Sequence, residues 1–279
     1  MAVIFAVFSS FGSGTGDFLG ALASRRGRVH AVAAGSQMIG VLAALALSPL
    51  VGGSPAESDL LWGAAAGASA ALAILALYQG LAIGDVGVVS PIAAVGAAAW
   101  PVLYSYATGD TPSAMQAAGL AVGVLAIWLV SQTQPSAGQS RRSVAAGAGL
   151  GLVAGAGFGG LFILLGQVGE NAGMWPLVPA RFCGAVLLVA IAAVTGRMLR
   201  PVTGTVWAVV GAGVVTAAGN GMFILAAQRG SLAVVSVLAA MFPATTVVLA
   251  RIIWHERLGP GRAAGLGLAL VAVGLVVAA

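Results

Sequence analysis

Long apolar runs, each about as long as a membrane-spanning helix, dominate this chain of 279 residues. A helix needs about 20 apolar residues to cross the hydrocarbon core of a bilayer. The runs are continuous rather than alternating, and they are rich in alanine and leucine, so they predict helices rather than strands. Ten runs meet this description, with approximate limits 2–23, 30–51, 60–83, 87–107, 113–131, 144–169, 174–196, 203–227, 232–254 and 260–279. The sequence therefore predicts an all-α polytopic membrane protein with ten transmembrane helices.

The charge content supports this class. Hydrophobic residues make up 60% of the chain and charged residues 7%, whereas a soluble domain carries about 25% charged residues. All 12 basic residues are arginines, and they outnumber 7 acidic residues. In a soluble protein this excess would suggest nucleic acid, but here it is a topology signal, and no nucleic-acid partner is expected.

The chain divides near its midpoint. Serine, glutamine, glycine and proline dominate residues 131–143, a composition that predicts a solvated linker. We predict a first repeat over residues 1–131, a linker over 132–143 and a second repeat over 144–279. Five helices per repeat is an odd number, so the two repeats should lie in the membrane with opposite orientations.

An internal match supports this duplication. When the second half is moved back by 146 positions, Ser90 lies on Ser236 and Asp110 lies on Glu256, with no gap between them. Both halves of the chain should therefore share one fold.

Several short motifs follow one another in an order that resembles the drug/metabolite transporter superfamily, in particular its EamA-like branch. They are Ser10 to Gly20 in the first run, Tyr78 to Ala82 closing the third, Ser90 to Pro101 in the fourth, Phe223 to Gly230 closing the eighth, and Phe242-Pro243 running on to Trp254-His255-Glu256-Arg257-Leu258. The resemblance covers essentially the whole chain. It implies a secondary transporter of a bacterial plasma membrane that works by alternating access. Such a protein exports or exchanges a small metabolite or amphiphilic compound, with proton coupling as an option, and is a monomer or homodimer.

Enzymatic motifs are missing from the sequence. A phosphate-binding Gly-x4-Gly-Lys loop cannot occur without lysine, and His30, His255 and Cys183 suggest no metal site. We expect neither an enzyme nor a bound cofactor. The alternative to a transporter is a non-transporting membrane scaffold or a lipid-handling subunit.

The distribution of arginines conflicts with the family resemblance. With ten spans, the side that holds both termini carries only Arg229, and the opposite side carries Arg25, Arg26, Arg28, Arg141, Arg142, Arg197, Arg200, Arg257 and Arg262. The positive-inside rule then puts both termini outside the cell. The usual topology of the family has cytoplasmic termini. We give more weight to the arginines.

Asp17 is the strongest candidate for a functional residue. It lies well inside the first run, and Ser13, Ser10 and Ser9 precede it by four, seven and eight residues, so that all four share one helix face. A charge is expensive in hydrocarbon, which makes Asp17 a candidate for binding substrate and for proton or cation coupling. The glycines between residues 12 and 16 could loosen the helix there and expose backbone carbonyls to a ligand. Alternatively, Asp17 pairs with an interfacial arginine such as Arg25 or Arg26.

Other polar groups inside the runs are candidates for binding substrate. Gln37 and Arg181 are two of them, and they are repeat partners when Gly40 is laid on Gly184. The guanidinium of Arg181 is suited to a carboxylate or phosphate. Arg181 could equally extend along its helix towards the membrane surface. Tyr78, Trp100 and Asn220 are weaker candidates that could stack on a substrate or donate hydrogen bonds to it.

Overall fold

A computed structural model describes residues 1–84, 86–108, 113–115, 117–119, 121–122, 125, 140–200, 204–230, 232–254 and 260–277. The helices are α1 (Ala2–Arg26), α2 (Val29–Val51), α3 (Glu57–Ile83), α4 (Val86–Ala107), α5 (Arg141–Gly166), α6 (Leu177–Val194), α7 (Val206–Ala227), α8 (Leu232–Ala239), α9 (Phe242–Trp254) and α10 (Pro260–Val277), with a short 3-10 helix at Glu170–Ala172. These ranges contain no strand, so the all-α class is confirmed for the described residues.

Six of these helices are long and apolar enough to cross a membrane, namely α1, α2, α3, α5, α6 and α7. Their ends lie within three residues of the predicted limits. Shorter apolar stretches occur in α4, at Val88–Tyr104, and in α10, at Ala263–Ala272. About half of the fifth predicted run, 113–131, and most of the predicted linker, 132–143, lie outside the described residues, as do Asp110 and Glu256 of the repeat match.

The ninth predicted run, 232–254, is not one helix, and that prediction is wrong. α8 ends at Ala239 and α9 begins at Phe242. The two residues between them form a turn, in which the N–H of Ala240 donates to the Ser236 carbonyl at 2.8 Å. Pro243 explains the break, because proline is tolerated in the first turn of a helix but removes a hydrogen bond and clashes in the middle of one.

Glycines bring the helix backbones into direct contact. A Cβ atom at Gly67 in α3 would overlap the carbonyl oxygen of Ala180 in α6. In the same way, a Cβ at Gly213 in α7 would overlap the carbonyl oxygen of Ser36 in α2. Helices in lipid associate through such close packing of small residues, because the hydrophobic effect does not drive helix association there. The main packing partners of α1 and α3 are α7 and α5 respectively, and α10 lies at the edge against α4 and α8.

One end of the bundle is closed by hydrogen bonds between loops. This end, here called the terminus side, holds the start of α1 and the segments on either side of the 3-10 helix. The N–H of Ser54 donates to the Asn171 carbonyl at 2.9 Å. The carboxylate of Asp59 accepts from the N–H of Gly169 at 2.8 Å, and the amide of Gln228 donates to the carbonyl of that glycine at 3.2 Å.

The opposite end, here called the arginine side, carries a recess of about 390 Å³. Its lining residues come from the start of α2, the end of α3 and the segment after α6, and they are Arg28, Val29, His30, Gln79, Ile83, Gly196, Arg197 and Met198. The two ends of the bundle therefore differ in shape and in charge.

Candidate substrate site

The polar stripe of α1 faces the interior of the bundle. Ser9, Ser10 and Asp17 are all buried, and Ser13 is partly buried. Because α1 packs against α7 and α9, this face is covered by protein rather than exposed at the outer surface. The expected arrangement of a polar face towards the interior is therefore observed.

The glycines around this stripe do not loosen the helix, and that expectation is wrong. α1 is continuous from Ala2 to Arg26. Its glycines serve close packing instead: a Cβ at Gly12 would crowd the backbone of Gly219, and one at Gly16 would overlap the side chain of Thr216. Both contacts bring α1 against α7, which holds Asp17 at a fixed depth.

A small cavity lies beside the stripe, in the middle of the bundle. Its polar lining consists of Ser13 and Asp17 from α1, Arg181 from α6, and Thr216 and Asn220 from α7. Apolar residues complete the wall, and these are Ala70, Ile74, Phe158, Leu161, Phe162 and Phe242. The cavity measures about 20 Å³, which is room for about one water molecule. An organic ligand therefore fits only after the surrounding helices move apart.

Arg181 points inward and is 3% exposed. Its Nη1 donates to the Oε1 of Gln37 in α2 at 2.6 Å. The alternative in which Arg181 extends to the membrane surface is therefore wrong. A buried arginine is held in place by such a bond, since an unpaired guanidinium N–H away from water is costly.

The Arg181–Gln37 pair crosses two glycines. A Cβ at Gly40 in α2 would lie 3.0 Å from the Cδ of Arg181, and a Cβ at Gly184 in α6 would lie 2.7 Å from the Nε2 of Gln37. The Arg181 side chain thus passes over Gly40, one turn after Gln37 in α2. The Gln37 side chain passes over Gly184, one turn after Arg181 in α6. Gln37 does not line the cavity itself but positions the residue that does.

Asp17 and Arg181 share the cavity without a direct ion pair between them in the described structure. Arg181 is nevertheless close enough to act electrostatically on Asp17, and both act on the Tyr78 hydroxyl. The interfacial arginines Arg25 and Arg26 have no such effect on Asp17. The pairing of Asp17 with an interfacial arginine is therefore not observed.

Tyr78 and Trp100 lie outside the cavity. The Tyr78 ring packs on Gly20, where a Cβ would overlap it, and the side chain is 1% exposed. Trp100 packs over Gly159 in α5 but is 48% exposed on the outer surface. The structure therefore brings Ser13, Asp17, Arg181 and Asn220 together, supports them with Gln37, and leaves Trp100 apart.

The aromatic wall of the cavity was not foreseen from the sequence. Phe158 and Phe242 meet edge to face with ring centroids 5.2 Å apart, and Phe162 stacks on Phe223 at 4.6 Å. Phe158 and Phe162 are four residues apart in α5 and so share one helix face. That spacing was the available signal in the sequence. It does not stand out, because nearly all the neighbouring residues of α5 are apolar as well.

Comparisons with known proteins support the fold, and they match the second half of the chain to a known family. Residues 145–278 match the model of the EamA-like transporter family, which is part of the drug/metabolite transporter superfamily. A crystal structure described only as that of a protein is similar to this chain with a TM-score of 0.68 at 14% identity, over 99% of this chain and 97% of the other. At that identity the likeness concerns the fold alone. No curated protein matches the chain at a significant level.

The family match has two consequences. Together with the apolar helices, it indicates an integral membrane protein, and the family suggests a membrane transporter of the drug/metabolite type. The resemblance inferred from the sequence motifs is confirmed for residues 145–278, which match the EamA-like transporter family.

Proposed function

We propose that this protein is a secondary transporter that works by alternating access and carries a small metabolite or amphiphilic compound through the central cavity. The observation that carries the proposal is the polar face of α1, buried against a cavity that also contains Arg181 and Asn220. Polar and charged groups inside a membrane protein are costly to bury, and they commonly mark the path of a substrate or ion. A scaffold or lipid-handling subunit has no need of such a cavity.

The reciprocal contacts between helices support the proposed inverted repeat. Under that proposal α2 and α3 of the first half correspond to α6 and α7 of the second. α3 then approaches α6 through Gly67 as α7 approaches α2 through Gly213. The hydrogen bond between Gln37 and Arg181 joins positions that correspond when Gly40 is laid on Gly184, a shift of 144 residues rather than the 146 that relates Gly67 to Gly213. Contacts exchanged in this way are expected of two repeats related by a half-turn, the plan of many secondary transporters.

Two barriers are proposed to control access to the cavity. Along α3, Ile74 lines the cavity and Gln79 lines the recess on the arginine side. Tyr78 comes between them in the sequence. Tyr78, packed on Gly20, is therefore our candidate for the barrier on that side. On the terminus side the hydrogen-bonded loops form the other barrier. Alternating access would open one barrier at a time.

Asp17 is our candidate for proton or cation coupling. Arg181 is the charged group that acts on it, and Asp17 in turn acts on the Tyr78 hydroxyl. Asp17→Asn keeps the shape of the side chain and removes its charge, so it should abolish pH-dependent uptake into liposomes. Glu57→Gln makes the same chemical change at an exposed residue and should not alter transport.

The test is transport by the purified chain in liposomes, with labelled amines, neutral compounds and organic acids. Uptake that depends on Asp17 supports the proposal. If Asp17→Asn transports at the wild-type rate with the same pH profile, the coupling assignment is wrong. If no member of the panel crosses the membrane and the protein is folded, a scaffold becomes the better account.

A further inference from the structure

Arg181 has unused hydrogen-bonding capacity. Its Nη1 bonds Gln37, but its Nε and Nη2 are buried and find no partner among the described residues. In a guanidinium, Nε–H and one Nη2–H point in parallel from the same edge of the plane. This free edge has the spacing at which an arginine holds both oxygens of one carboxylate.

Leaving these donors unpaired is expensive. A buried N–H without a partner costs about 1–3 kcal/mol, and more when the group is charged. A cavity of about 20 Å³ has room for about one water, which would satisfy only part of this need. A ligand that engages both donors therefore gains binding free energy that the empty protein lacks.

The rest of the cavity wall is suited to an apolar body. Phe158, Phe162 and Phe242 line it together with aliphatic side chains, and each ring packs against another aromatic residue. A mostly apolar lining with a few placed polar groups is typical of sites for small organic ligands.

We propose that the substrate is an organic acid with an apolar body, whose carboxylate binds side-on to the Nε–Nη2 edge of Arg181. This inference rests on the proposed function and deepens it. Asp17 lies in the same cavity, so a bound carboxylate adds a second negative charge there. A proton on Asp17 would offset that charge, which is the coupling proposed above.

The first test uses ligands and the unaltered protein. Phenylacetate and butanoate are compared with the neutral amides phenylacetamide and butanamide and with the amines phenethylamine and butylamine, by the shift in thermal unfolding of the purified chain. A ligand that binds only the folded state raises the unfolding temperature. We expect at least one acid to do so, and its amide and amine not to. If neither acid protects, or if the amides or amines protect equally well, the inference is overturned.

The second test uses two substitutions that keep a polar residue in place. Arg181→Lys keeps the charge but loses the two-donor edge, and it should weaken binding of the protective acid roughly 10- to 100-fold. Gln37→Glu keeps the shape next to Arg181 and offsets its charge, so it should weaken acid binding without loss of stability. Arg26→Lys makes the first change at an exposed position and should bind the acid as the wild type does. Wild-type acid binding by both Arg181→Lys and Gln37→Glu would assign Arg181 a structural role and overturn the inference.

The transport assay separates this inference from the proposed function. Transport of amines or neutral compounds but not of acids would contradict the proposal that the substrate carries a carboxylate. It would still support the proposal that the protein is a transporter. Transport of nothing contradicts the proposed function itself.

Discussion

The hydrogen bond between Gln37 and Arg181 ties a helix outside the cavity wall to one that lines it. It joins α2 to α6 at 2.6 Å, and both side chains are buried. The guanidinium gains one partner from the protein, and the position of Arg181 at the cavity wall is thereby fixed. Gln37 therefore acts on the site through Arg181, as a positioning residue.

Gln37→Leu should destabilise the protein. It removes the acceptor of a charge-assisted hydrogen bond and leaves a third donor of Arg181 unpaired. A bond to a charged group contributes about 1.5–3 kcal/mol. Loss of the unpaired Nε2 of Gln37 offsets part of that cost. We expect the free energy of unfolding in detergent to fall by about 1–2 kcal/mol, measured by thermal or denaturant unfolding.

Gln167→Leu is the matched control for this prediction. The Gln167 amide donates to the Ile163 carbonyl of its own helix at 3.3 Å, so its loss should change stability by a few tenths of a kcal/mol. Equal effects of the two substitutions would show that the bond to Arg181 contributes no more to the free energy of unfolding than the bond of Gln167 does.

For single residues, the sequence predicted which side chains lie at the cavity better than how those side chains are oriented. Asp17, Arg181 and Asn220 stand out because polar groups are rare in apolar runs, and the structure brings all three to one cavity. The direction of Arg181 was not predictable, because the distance to the membrane surface allows either orientation. Trp100, a weaker candidate for binding substrate, lies outside the cavity. Its sequence did not show this, because an aromatic ring suits lipid and ligand equally well.

Helices in this bundle depend on glycine for their spacing. Gly67 lies where α3 crosses α6, against the backbone of Ala180. Gly67→Ala should force the two helices apart, at a cost of about 1–3 kcal/mol for overpacking. Thermal unfolding in detergent would measure the loss.

Gly149→Ala is the matched control for this substitution. Gly149 lies in α5 with no neighbouring atom within 4 Å of an added Cβ. Alanine there should stabilise the helix by about 0.5–1 kcal/mol, through propensity alone. If both variants shift stability in the same direction, the close approach at Gly67 does not limit packing.

The helix limits were predictable because the apolar runs end at charged residues, glycine or proline. The break between α8 and α9 was missed because residues 232–254 are mostly apolar and show no cluster of polar residues at residues 240 and 241. Pro243 was the signal, but α2 and α4 show why it was ambiguous. Pro49, Pro91 and Pro101 all lie inside continuous helices, so proline alone does not predict a break.

Orientation in the membrane follows from the whole charge distribution. A cysteine in place of Ser140, which is exposed at the start of α5, would report the arginine side. With Cys183 replaced, we expect no labelling of this position by an impermeant thiol reagent added to intact cells, because the arginine side should be cytoplasmic. Ser54→Cys, on the terminus side, is the control that should be labelled. The reverse pattern would mean that the usual family topology holds.

Alternating access requires the terminus side to open during transport, and this can be tested by locking it closed. The backbones of Ser54 and Asn171 lie side by side there, joined by a hydrogen bond of 2.9 Å. Cysteines at these two positions, in a protein without Cys183, should be joined by oxidation, since a disulfide needs Cα atoms about 4.4–6.8 Å apart. We expect the cross-linked protein to lose transport in liposomes and to regain it after reduction. Each single-cysteine protein should transport normally under the same oxidising conditions. Full transport by the cross-linked protein would mean that this end stays closed throughout the cycle, and alternating access through it would be refuted.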